Sequence, residues 1–140
     1  MSSLLVALQF GLMALMAVRL DAGAIGPAFV ALLGAGAAVG AWALAANRPG
    51  NFNIRPDPHP EGRLVTGGPY AWVRHPMYLA VLLAMAAFAQ AGDAWQWGAW
   101  VALAAVLAAK ARREERGLAI LHPGYEDYRA RTRAIVPFLF

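Results

Sequence analysis

Two short stretches of this chain hold nearly all the side chains able to do chemistry. In the first, Arg74, His75, Pro76, Met77 and Tyr78 follow one another. Proline at a first helical position opens a helix, and the free backbone N–H groups and positive dipole end there attract an anion. His75 then lies just before the opening turn and Tyr78 within it, so both side chains reach a ligand held at the helix start. On spacing alone a second reading is equally open, in which the histidine and tyrosine merely cap the helix. The second stretch is Lys110, Ala111, Arg112, Arg113, Glu114, Glu115, Arg116. Adjacent helical residues point about 100° apart, so one glutamate can face inward while the other faces water. An inward glutamate would accept hydrogen bonds from ribose hydroxyls or pair with an ammonium. The alternative is a solvated face of mixed charge with weak ion pairs along the helix.

The elements that must position these residues are apolar. Of the 140 residues 60% are hydrophobic and 14% charged, with a mean hydropathy of +0.48. A soluble domain this short has too little interior to hide so much apolar surface, so the expected solvent is lipid. Four apolar segments approach the length that crosses about 30 Å of hydrocarbon: Leu4 to Val18, Ala22 to Ala46, Pro76 to Ala91 and Ala94 to Ala111. The first is read as a crossing and not as a signal peptide, because no positive charge precedes it. Gly36 and Gly40 form a G-x-x-x-G face, read as intramolecular helix packing ahead of a dimer contact. The fold expected is all-α and polytopic, with about four transmembrane helices and a cytoplasmic C-terminal helical segment.

Charge orders the topology. Arg48, Arg55, Arg63 and Arg74 lie between segments two and three, and Lys110, Arg112, Arg113, Arg116, Arg129, Arg131 and Arg133 end or follow segment four. The connection around Gly92 and Asp93 has no positive charge, and the first connection has only Arg19. Both termini and both chemical stretches should therefore face the cytoplasm. Trp95, Trp97 and Trp100, on the opposite side, read as a membrane anchor. Arg129, Arg131 and Arg133 read as attraction to anionic lipid.

Several classes are disfavoured. The chain has no cysteine, which removes disulfides, thiolate metal sites and cysteine nucleophiles, and no metal site is expected. The formal charge of +4 gathers beside apolar segments and not along a polar face, so nucleic acid is not an expected partner. No acidic residue lies well inside a predicted span, against the habit of proton-coupled carriers. The segment Asn47 to Tyr78 is too rich in Pro and Gly for a long helix. His122-Pro123-Gly124 breaks the fourth helix, and Ile135 to Phe140 is an apolar run too short to cross.

The stretches LVTGGPYAWVRHPMYL, Leu64 to Leu79, and EERGLAILHPGYEDYRARTRAIVPFLF, Glu114 to Phe140, resemble the isoprenylcysteine carboxyl methyltransferase family and its relatives, the phospholipid N-methyltransferases. G-P-Y, R-H-P-x-Y, a helical hairpin, E-E and G-Y-x-x-Y occur in order, covering Asn47 to the C-terminus. The resemblance implies a cytoplasmic pocket for S-adenosylmethionine and a lipophilic small-molecule or lipid substrate entering from the bilayer. It implies Tyr70, His75, Tyr78, Glu114 and Glu115 as cofactor contacts, with Arg74, His75 and Glu115 as the catalytic set. Phospholipid methyltransferases often carry a G-x-G pattern soon after the tyrosine, where this chain has Leu79, Ala80 and Val81, so a phospholipid amine is the alternative acceptor. A noncatalytic scaffold or transporter is the reading from another class.

On this view residues 1–140 form a single membrane domain: 1–46 an N-terminal helical hairpin and 47–140 the cofactor-binding methyltransferase core. The cofactor's carboxylate, ammonium, ribose and sulfonium want a helix N-terminus, an acid, a second acid and an aromatic wall. No dinucleotide-binding glycine fingerprint is present. A carboxylate acceptor needs no general base, whereas an amine or thiol needs one, for which His75 or a glutamate is the candidate.

Overall fold

The computed structural model describes residues 2–47 and 62–137. Arg48, Arg55 and the terminal Phe138 to Phe140, which entered the charge and interface arguments, lie outside the described residues. Five α-helices follow in order: α1 Ser2–Val18, α2 Pro27–Ala46, α3 Pro76–Gln90, α4 Ala94–Leu121 and α5 Tyr125–Arg131. Among the described residues there is no strand, and only a single isolated parallel bridge joins Val73 to Arg133.

Each boundary has a local cause. The second helix begins at Pro27 and not at Ala22, because the Asp21 side chain accepts from the Gly23 N–H and closes a 3₁₀ turn over Ala22–Ala24 before Pro27 sets the first helical position. Asp93 caps α4 by accepting from the Gln96 N–H. The fourth helix runs 28 residues, about 42 Å at 1.5 Å per residue. It therefore outreaches a hydrocarbon core by roughly 12 Å, and its last turns carry Glu114 and Glu115.

Of the described helices one, Pro27–Ala46, is both long and apolar enough to cross a membrane; Ser2–Val18 and Pro76–Gln90 are shorter apolar helices. Apolar side chains stand on the outer faces of α1 and α2, among them Leu4, Phe10, Val30 and Trp42, each at least half exposed.

The interior is built on four-residue spacing. Ala99, Leu103, Leu107 and Ala111 form one stripe of α4 that meets Leu82, Met85 and Ala89 of α3, with Met16 of α1 and Ile135 closing the cluster. The longest helix–helix contact is α2 on α3, while α1 lies mainly along α4. Both helices of 1–46 thus find their main partners in the C-terminal pair. A Cβ at Gly36 would sit 2.8 Å from the Ala80 carbonyl and the Ala84 nitrogen, so the glycine face packs within the chain, against the backbone of α3.

The tryptophans at the start of α4 also make contacts within the fold. Trp100 donates through its indole N–H to the Leu82 carbonyl at 2.9 Å, Trp97 stacks edge-on against Trp100, and the Arg19 guanidinium lies 4.2 Å over Trp95. They lock α4 to α3 and to the end of α1.

Candidate functional site

The loop before α3, the overhang of α4 and α5 border one cleft, and the strap that follows α5 lies along that loop. Gly68 allows the loop to turn: its φ is +59°, and a Cβ there would come within 2.9 Å of the Ala46 side chain. The strap then pairs with the loop. Arg133 N–H donates to the Trp72 carbonyl at 3.1 Å, Arg74 N–H to the Arg133 carbonyl at 2.8 Å, and His75 N–H to the Ala134 carbonyl at 2.9 Å. The residues flanking His75 are therefore fixed by backbone bonds before any side chain acts.

His75 occupies the N-cap of α3 but makes no side-chain capping bond. Its ring, buried, is held between the two glutamates: Nε2 lies 3.2 Å from Glu115 Oε1, and Nδ1 lies 3.6 Å from Glu114 Oε2. The same ring stacks on Tyr78 at 5.1 Å between centroids and 5° between planes, and the Tyr78 hydroxyl donates to Glu114 Oε2 at 3.0 Å. The helix end offers less to an anion than proline at that position suggests, because the His75 N–H turns to the Ala134 carbonyl and the Tyr78 N–H to the His75 carbonyl.

The two acids differ. Glu115 faces Arg74, whose Nε donates to Oε1 at 2.7 Å, and its other oxygen lies 3.8 Å from Arg129. Burial works to raise the Glu115 carboxyl, but hydrogen bonds from His75 and Arg74 and their charges overcome it and hold the group at about 2. Glu114 borders the cleft, with its side chain 30% exposed. Arg74 also holds the strap, donating through Nη1 to the carbonyls of Thr132 at 2.7 Å and Arg129 at 3.2 Å.

The cleft, about 870 Å³ with its open mouth included, is bordered by Tyr70, His75, Tyr78, Glu114, Leu118 and Tyr125 among others. The structure thus brings together Tyr70, Arg74, His75, Tyr78 and Glu114 around one space, with Glu115 behind them. Tyr128 donates to the Tyr70 carbonyl at 2.7 Å, tying α5 to the loop. Burial pushes the phenols of Tyr70, Tyr125 and Tyr128 upward, so all three are neutral donors near pH 7. Among the described residues no group of three or more His, Asp or Glu is arranged to hold a metal ion.

Sequence reasoning missed Asn47, Leu118, His122, Tyr125 and Tyr128 as neighbours of this cleft. The three-residue spacing of Tyr125 and Tyr128, which places both on one helical face, was the signal that could have found two of them. It also read Lys110 as a flanking cation. The structure instead buries it: Nζ donates to Gln9 of α1 at 2.5 Å and lies 5.3 Å over the Tyr78 ring.

The sequence model of the isoprenylcysteine carboxyl methyltransferase family matches residues 29–120. The cobalt-zinc-cadmium resistance protein CzcN of Cupriavidus metallidurans is 38% identical over 78 residues, which cover 54% of this chain and 36% of that protein. The chain thus aligns with about a third of the length of that curated relative. No solved structure matches it.

Proposed function

Because the chain belongs to the isoprenylcysteine carboxyl methyltransferase family, we propose that it is a membrane methyltransferase that binds S-adenosylmethionine in the cleft and methylates a lipophilic acceptor arriving from the bilayer. The observation that carries this reading is the meeting of the His75–Tyr78 turn with the Glu114–Glu115 pair, residues about 40 apart in sequence, on one cleft.

The residues present suit such a cofactor. Glu114 is an acid on the cleft that would take an ammonium or a ribose hydroxyl. Tyr70 and Tyr78 supply aromatic surface beside it for a nucleoside or a sulfonium. Bound S-adenosylmethionine would supply an electrophilic methyl group. The chain's own part is positioning and the exclusion of water. The strap and Arg74 fix the loop, Glu115 fixes Arg74 and His75, and Leu64, Val65 and Leu118 give the cleft an apolar wall. If the acceptor must lose a proton, Glu114 is the candidate to take it, since it borders the cleft while both ring nitrogens of His75 face the glutamates.

The membrane part of the reading rests on the exposed apolar side chains of α1 and α2 and on the overhang of α4. We place α1, α2, α3 and the first two-thirds of α4 in the bilayer as four crossings, with the cleft and both termini on the cytoplasmic side.

Calorimetry and thermal unfolding of the detergent-purified protein test the cofactor; absence of both heat and thermal shift with S-adenosylmethionine or S-adenosylhomocysteine would end the proposal. Incubation with host membranes and methyl-labelled cofactor tests the acceptor. Label should enter a lipid-phase molecule, and failure to do so where cofactor binds would remove the lipophilic substrate.

A further inference from the structure

Resting on the reading of the cleft as an S-adenosylmethionine site, we propose that the Tyr125 hydroxyl is a further binding group of that site, donating a hydrogen bond to an acceptor atom of the bound cofactor. Tyr125 borders the cleft and heads the largest fully buried side chains, at 1% exposure. Its hydroxyl is shut from solvent and has no hydrogen-bond partner among the described residues. A buried O–H left this way carries a desolvation penalty that phenylalanine would not, and such orphans call for a reason outside the empty fold.

Tyr128 shows the contrast. It lies on the same face of α5, its ring packed edge-on against Tyr125 at 6.0 Å, yet its hydroxyl is satisfied by the Tyr70 carbonyl. The Tyr128 hydroxyl therefore holds the fold together, whereas that of Tyr125 holds nothing within it. Glu115 and Arg74 are the charged groups that act most on Tyr125, yet neither is hydrogen-bonded to its hydroxyl. Burial, reinforced by the negative charge of Glu115, keeps the phenol protonated, so it offers a donor throughout the neutral range. The short helix that carries it is anchored at both ends, by the Tyr125 N–H to the His122 carbonyl and by Arg74 to the carbonyls of Arg129 and Thr132.

Tyr125→Phe in the full chain, purified in detergent, removes the hydroxyl and nothing else. Calorimetry with S-adenosylhomocysteine should show affinity reduced about three- to tenfold, the loss of one hydrogen bond. The melting temperature of the ligand-free variant should be unchanged or higher. Tyr128→Phe should instead melt lower, because it breaks the bond to Tyr70. Equal affinity of Tyr125→Phe and the unaltered protein would overturn the assignment, as would a fall in the ligand-free melting temperature of Tyr125→Phe, which would mark a structural role. If the unaltered protein itself fails to bind, the cofactor reading falls and takes this inference with it; if it binds and the variant binds equally well, this inference alone is lost.

Discussion

Glu115 Oε1 lies 2.7 Å from Arg74 Nε, and both side chains are about nine-tenths buried, one on the overhang of α4 and the other in the loop before α3. Taking two such charges out of water is unfavourable unless each is fully answered. Here Glu115 also accepts from His75 while Arg74 also donates to Thr132 and Arg129. The pair therefore works as a hub that aligns α4, the loop and the strap, while the neighbouring Glu114 is the acid that reaches the cleft.

That division separates two otherwise similar substitutions. Glu115→Gln leaves Arg74 buried without a counter-charge and should destabilise the protein by about 3 kcal/mol. Glu114→Gln should cost far less stability, because its side chain is partly solvated, yet weaken cofactor binding at least several-fold. Thermal unfolding and calorimetry on the two variants check this; equal losses of stability would show that the acids are not divided as described.

The absence of cysteine makes the topology directly testable. Ala94→Cys, at the start of α4, and Arg116→Cys, beyond its apolar stretch, sit at opposite ends of one helix. In intact cells a membrane-impermeant maleimide should label the first and reach the second only after permeabilisation. Labelling of both in intact cells would refute a crossing by α4, and the reverse pattern would invert the orientation.

Much of this was legible in the sequence because each signal was local. Pro76, Asp93 and the break at His122-Pro123-Gly124 mark helix ends by their own chemistry, and the ordered motifs point to the family to which the chain belongs. What escaped was set by distance. Helix rotation decides which glutamate meets Arg74, and neither neighbour in sequence reveals it. Lys110 reads as a surface cation until Gln9, about 100 residues away, is seen to receive it. The start of α2 was misplaced because Ala22–Ala24 is apolar enough to continue the helix, whereas Asp21 and Pro27 together impose a separate turn.

The close approach of α2 to α3 gives a prediction about stability alone. A methyl group at Gly36 would press into backbone atoms of α3 at 2.8 Å, which cannot move aside as a side-chain end can. Gly36→Ala should therefore destabilise by about 1–3 kcal/mol, as overpacking does. At Gly34, two residues away, a Cβ meets nothing within 4 Å, and Gly34→Ala should be neutral or stabilising through helix propensity. Thermal unfolding of the pair decides, and a harmless Gly36→Ala would mean that the two helices are not this close.

Acid should loosen the hub in a window set by Glu115. Its carboxyl is held at about 2 in the folded protein against an ordinary value of 4.5, so the folded state binds the proton less readily than the unfolded chain. The stability this contributes is complete above about 4.5, and it is lost as pH falls toward about 2. The gap in melting temperature between the unaltered protein and Glu115→Gln should thus stay constant down to about pH 4.5 and then shrink. His75 contributes to that depression by hydrogen bond and by charge, so His75→Ala should move the onset of acid unfolding to higher pH. The same substitution removes the ring that Tyr78 stacks on, and cofactor affinity should fall at least several-fold. A gap that ignores pH, or an acid transition unmoved by His75→Ala, would show that Glu115 is not held by the contacts described.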